Sequence, residues 1–174
     1  MQRARRQSTL DGPGLWPLES TGEDRYRRGM YTLFKRTSPH PNLVTFDCPD
    51  ANLTCIERQT SNTPLQALTS LNNETFAETS RAFAKRILSQ PESDETSRLA
   101  LAFRMCVARP GSASELQQLQ ALLNESRDWY HAHPEQATQL IGKDAVPETA
   151  PDINAAWIAT SRVLLNLDEF ITRE

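Results

Sequence analysis

The chain has 174 residues, 38% apolar and 24% charged, with a net charge of −3 and a pI of about 5.7. That length suits one domain with a hydrophobic core of its own. The mild charge, nine Lys/Arg against seven Asp/Glu in residues 1–58 and ten against fifteen in 59–174, does not suggest a nucleic-acid binder, which should show a clustered basic face and a much higher pI.

Residues 1–24 form an irregular arm punctuated by Gly12, Pro13, Gly14, Pro17 and Gly22, with Leu15 and Trp16 as a clip onto the rest of the protein. A helix is expected over Glu23–Thr37, because Tyr26, Met30, Leu33 and Phe34 recur as one apolar stripe. Glu23 and Asp24 at its start and Lys35 and Arg36 at its end match the helix dipole. Pro39 and Pro41 stop it. Leu43, Val44 and Phe46 then read as a short extended piece or coil, inside a long ordered loop near residues 37–62.

Thr63-Pro64-Leu65-Gln66 is the clearest local signal: a cap, a proline at the first helical position and a glutamine that reaches back. The helix that follows sets Leu65, Leu68 and Leu71 on one face, and Asn72-Asn73 breaks it. The next helix carries Phe76, Ser80, Phe83, Ala84, Ile87 and Leu88 to Pro91. Another starts at Asp94 with Leu99, Ala102, Phe103, Cys106 and Val107 inward and stops at Pro110. Ser112 and Glu115 form a second capping box, followed by a stripe of Leu116, Leu119, Leu122, Leu123, Trp129 and Tyr130 that ends at Pro134. One helical turn is expected within 134–150. The last helix starts near Pro151 with Ile153, Trp157, Val163, Leu164, Leu167 and Ile171 inward. The expected fold is therefore all-α, an irregular bundle of five to six helices packed around the motif-rich stretch 25–72. No solenoid-type repeat is present.

Three cysteines, Cys48, Cys55 and Cys106, lack CxxC, CxxCH or paired Cys/His spacing. No metal site and no cofactor is expected in this chain. Cys48 and Cys55 could pair only in an oxidising compartment. No run approaches the roughly 20 apolar residues of a membrane span. Met1 opens onto QRARRQSTLDG without a signal peptide's apolar run, so that a start at Met1 would make the chain cytoplasmic.

The candidate catalytic residues are His40, held between two prolines and suited to proton transfer, and Asp47 and Asp50, clustered carboxylates with Glu57 close by in sequence. Turn forming and capping are the ordinary uses of such residues. Arg28, Arg36 and Arg58 are the candidate binding residues, since guanidinium offers a bidentate fork to carboxylate, phosphate or sulfate. Ion pairs with the same loop's carboxylates are the competing reading. His131 and His133, two apart, fall on different helix faces and make a poor metal pair.

Through GEDRYRRGMYTLFKRTSPHPNLVTFDCPD, ERQTSNTPLQALTSLNN and the closing NLDEFITRE, the chain resembles the planctomycete PSD-one domain, domain of unknown function family fifteen fifty-three, from about Gly12 to the C-terminus. The resemblance implies the C-terminal part of large exported, cytochrome c-associated multidomain proteins. It implies a helical domain over 25–174 lacking the upstream part, and supplies no catalytic residues. Cys48 replaces the family's usual small residue in TFDAPD, so that a Cys48–Cys55 bond would belong to this chain alone. Ser61 stands where Arg or Thr is often seen, which weakens an anion site nearby. The expected role is a non-catalytic accessory or interaction domain that docks, through 25–72, on its upstream domain or a separate protein partner. No nucleic acid is expected as a partner. The alternative is an enzyme or binding module for acidic or sulfated polysaccharide built on the 36–58 loop.

Overall fold

The structure, a computed structural model, describes residues 26, 28–31, 34, 39–50, 52–57, 59–91 and 94–172. The arm and its Leu15–Trp16 clip lie outside the described residues. Among those described, the fold is all-α: a 3-10 turn at Gly29–Tyr31 and eight α-helices, with no strand. No helix among them is long and apolar enough to cross a membrane. The chain divides into two compact units, Met1–Ser61 and Asn62–Glu174.

In the first unit, of the helix expected over Glu23–Thr37 the described residues are 26, 28–31 and 34; among these Tyr26 and Gly29–Tyr31 have 3-10 geometry and Arg28 and Phe34 are not helical. Tyr26 and Met30 of the expected stripe are exposed and Phe34 is half-buried, while Leu33 lies outside the described residues. Gly29 disfavours a regular helix here, and a Cβ on it would stand 2.8 Å from Leu43 Cδ2. The piece expected as extended or coil is instead a helical turn, α1 (Pro41–Thr45). His40 explains the difference. Its Nδ1 accepts from the Asn42 N–H at 3.3 Å and Pro41 takes the first helical position, which together start a helix.

The second unit holds α2 (Pro64–Asn72), α3 (Glu74–Leu88), α4 (Glu95–Val107), α5 (Ala113–Ala132), α6 (Pro134–Ile141), α7 (Pro151–Leu164) and α8 (Asp168–Ile171). Both expected capping boxes form. Thr63 accepts from Gln66 N while Gln66 accepts from Thr63 N, and Ser112 and Glu115 do the same for α5. The hub is α7, which packs against α3, α4, α5 and α6. Ala155, Ala156, Thr160 and Ser161 are buried on it, and their small side chains let neighbouring helices approach closely while Trp157 and Ile158 fill the space between. Every buried apolar side chain among the described residues lies between Ala84 and Leu165. The helices of the second unit thus pack around α7, and none of the buried apolar side chains among the described residues comes from the 25–72 stretch.

Three faces differ from the sequence pattern. On α2 the buried residues are Gln66 and Ser70, while Leu65 and Leu68 are exposed and Leu71 is half-buried. Gln66 spends its side chain on the cap and Ser70 Oγ donates to the Gln66 carbonyl at 3.0 Å, so both polar groups are satisfied out of water. Val163 on α7 and Trp129 on α5, expected inward, are exposed. The single turn expected within 134–150 is the two-turn α6, started by Pro134 and ended at Gly142, whose φ of 58° and ψ of −127° suit glycine.

Candidate functional site

The expected site residues of the first unit are tied into local structure. His40 caps α1. Asp47 follows α1 in the left-handed region, φ 54°, which Asp tolerates better than most residues. Its Oδ2 accepts from Ser61 Oγ at 2.6 Å and Ser61 N at 3.1 Å. That pair closes the loop from Asp47 to Ser61, a span of fourteen residues. Asp50 Oδ1 accepts from Asn52 N at 3.0 Å and Asn52 Nδ2 at 2.6 Å, an Asx turn. Arg28 is exposed; its carbonyl accepts from Tyr31 N at 2.9 Å. Arg36 and Arg58 lie outside the described residues. The hydrogen bonds of His40, Asp47 and Asp50 described above each go to a different residue, Asn42, Ser61 and Asn52.

Cys48, Cys55 and Cys106 are free thiols. Cys55 Sγ donates to the Glu57 carbonyl at 3.1 Å, and burial pushes the Cys106 thiol up to about 11, away from the thiolate form that reacts. No cluster of three metal-ligating side chains occurs among the described residues.

The second unit contains an arrangement of another kind, centred on Arg109 in the α4–α5 turn. Its Nε and Nη2 donate to Glu169 at 2.9 and 2.8 Å, and its Nη1 and Nη2 donate to Glu115 at 3.0 and 2.7 Å. Both carboxylates are thus held by paired donors. The guanidinium carbon lies 5.0 Å from the centre of the Phe103 ring, a cation–π distance. Glu115 accepts from Ser112 N as well, at 2.7 Å. Arg109 first, then the Ser112 N–H and hydroxyl, hold its carboxyl down to about 2; the same carboxylates hold Arg109 above the ordinary arginine range. A Cβ on Gly111 would stand 3.0 Å from Leu116 Cδ2 and 3.2 Å from Phe103 Cδ1, so that both side chains would have to give by a few tenths of an ångström.

The clasp closes one end of a groove of about 360 Å³ lined by Phe103, Leu119, Leu122, Val163 and Leu167. A second groove of about 360 Å³ continues past Leu122 to Trp129, Tyr130 and Ala159. Trp129 stacks on His133 with ring centres 4.3 Å apart, and His133 Nδ1 lies 2.7 Å from the Trp129 carbonyl, so that this nitrogen carries the donated proton. Asp168, at the clasp end, accepts from Asn62 Nδ2 at 2.6 Å.

Sequence reasoning missed Arg109 and the groove. The carboxylates were in view, Glu115 as a capping residue and Asp168 and Glu169 within NLDEFITRE. Nothing local marks Arg109 as their partner, because Glu169 is 60 residues away.

A family model described as PSD1, protein of unknown function (DUF1553), matches residues 2–123. No curated protein and no solved structure matches the chain. The matched residues end within α5, so α6, α7, α8 and the NLDEFITRE segment lie beyond them.

Proposed function

The chain belongs to the PSD1 (DUF1553) family of unknown function, and from that premise we propose that it is a non-catalytic helical interaction domain of an exported, redox-associated protein. It docks through the 25–72 segment on a protein surface, either an upstream domain of a longer chain or a separate partner. One observation carries this reading. No described residue of the first unit is buried, yet Tyr26, Met30, Tyr31, Val44, Leu53 and Ile56 are all exposed. Six large apolar side chains exposed on a unit with no buried residue among those described are suited to a contact surface. The hydrogen bonds of Asp47 and Asp50 support it too, since they order the loop that displays Leu53 and Ile56.

The test compares the hydrodynamic mass of the chain in native extract with that of the purified chain. The wild type is expected well above 19.6 kDa in extract. A variant carrying Met30→Ser, Leu53→Ser and Ile56→Ser is expected at the purified mass with its melting temperature unchanged. A wild type that runs at the purified mass in extract overturns the reading. So does binding of acidic or sulfated polysaccharide that Asp50→Ala abolishes without unfolding the chain.

A further inference from the structure

We propose that the seam between α5 and α7 is a second docking groove, and that its occupant is an amphipathic helix of a partner protein with Lys or Arg bordering its apolar stripe. The proposal does not depend on the first unit. Its floor is built from Leu119, Leu122, Ser126 and Trp129 of α5 with Ala159 and Val163 of α7. The α5 residues step by three, four and three, and those of α7 by four, so each helix presents one continuous row.

Two such rows side by side form a trough into which the ridge of a third helix fits. Ala159, the smallest residue of the floor, lets that helix approach closely. From Glu115 to Trp129 the trough runs about 21 Å at 1.5 Å per residue, room for about four turns. Val163 is 39% and Trp129 48% exposed, so the rows are left open where a core helix would have closed them.

Charge selects the occupant. Among the described residues, the lining includes Glu115, Asp168 and Glu169 at the clasp end and Glu125 farther along, with Arg109 as its one cation. The surplus is three negative charges. Glu115 and Glu169 are satisfied by Arg109, whereas Glu125 is exposed beside Trp129 and Ser126, placed to meet a Lys or Arg on the rim of an incoming helix. Such rim charges steer and align a partner, and the apolar row supplies the burial.

The test uses the full chain and two labelled synthetic helices of about 18 residues, long enough to fill the four turns. Both carry Leu at i, i+3, i+4 and i+7; one has Lys along the borders and its twin has Glu. Fluorescence anisotropy is expected to show the Lys helix binding at least on the order of tenfold more tightly than the Glu helix, with the preference shrinking as salt rises. Val163→Glu and Trp129→Ser should each weaken the Lys helix about tenfold. Glu125→Lys, an exposed substitution that leaves the melting temperature unchanged, should narrow the gap between the twins. Equal binding of the twins, or binding indifferent to Val163→Glu and Glu125→Lys, overturns the proposal. A concentration-dependent dimer of the chain alone, dispersed by Val163→Glu, assigns the groove to a second copy and also overturns it.

Discussion

The two units spend their apolar residues in opposite ways. Asn62–Glu174 closes Ile87, Leu99, Leu123, Trp157, Ile158 and Leu164 into an interior almost free of solvent. The described part of Met1–Ser61 buries none of its side chains and is ordered by hydrogen bonds: the His40 cap, the Asp47–Ser61 closure and the Asp50–Asn52 turn. The lesson is that conspicuous sequence and structural weight need not coincide. Residues 25–72 hold most of the turn, cap and charge motifs, but the burial that stabilises the fold lies around the plain Ala- and Leu-rich helices that follow.

The largest effect expected from that contrast is at the hub. Trp157→Ala should cost about 3–5 kcal/mol through lost burial and the cavity left behind, lowering the melting temperature by about 6–20 °C. A shift of only a degree or two would mean that α7 is not the centre of the core. Next comes Thr63→Ala, which removes the cap of α2 and should cost about 1 kcal/mol in a denaturant titration. Two-state transitions in both variants would sharpen the contrast.

Acid probes the clasp. The carboxyl of Glu115 is held at about 2 in the folded chain against an ordinary 4.5. A group with a lowered folded pKa contributes stability above its unfolded value and loses that contribution as pH falls through the folded one. Melting temperature should therefore fall as pH drops from about 4.5 toward 2, and Glu115→Gln should flatten that part of the curve while leaving the profile above pH 6 parallel to wild type. An unflattened curve would remove the clasp from the account of stability. The smallest effect belongs to the first unit: Leu53→Ser and Ile56→Ser should change stability by no more than about 0.5 kcal/mol, measured by urea titration. A loss of about 2 kcal/mol or more, the size expected for burying such side chains, would show that they are folding residues and would undo the contrast.

Much of the helical plan was legible, because helix ends are written locally. Thr63-Pro64-Leu65-Gln66, Asp94, Ser112 with Glu115, and Pro134 and Pro151 each satisfy or pre-set backbone groups within a single turn. The Pro41 helix was harder, since a five-residue helix has no periodicity and its start is marked only by Pro41 and the His40–Asn42 cap. The candidate site was legible in its residues only in part. Asp47 and Asp50 stood out as carboxylates, but that Asp47 closes a loop onto Ser61 depends on a contact across fourteen residues.

By itself, then, the sequence determined an all-α chain, its main helix boundaries and its membership of a family, because caps, prolines and apolar spacing act over a few residues. Tertiary structure alone decided which faces are covered. It buried Gln66 and Ser70 and left Leu65, Leu68, Trp129 and Val163 in solvent. It also joined Arg109 to Glu169 across 60 residues. Such outcomes depend on which helices meet, and the spacing of residues along one helix says that a stripe exists without saying what, if anything, packs upon it.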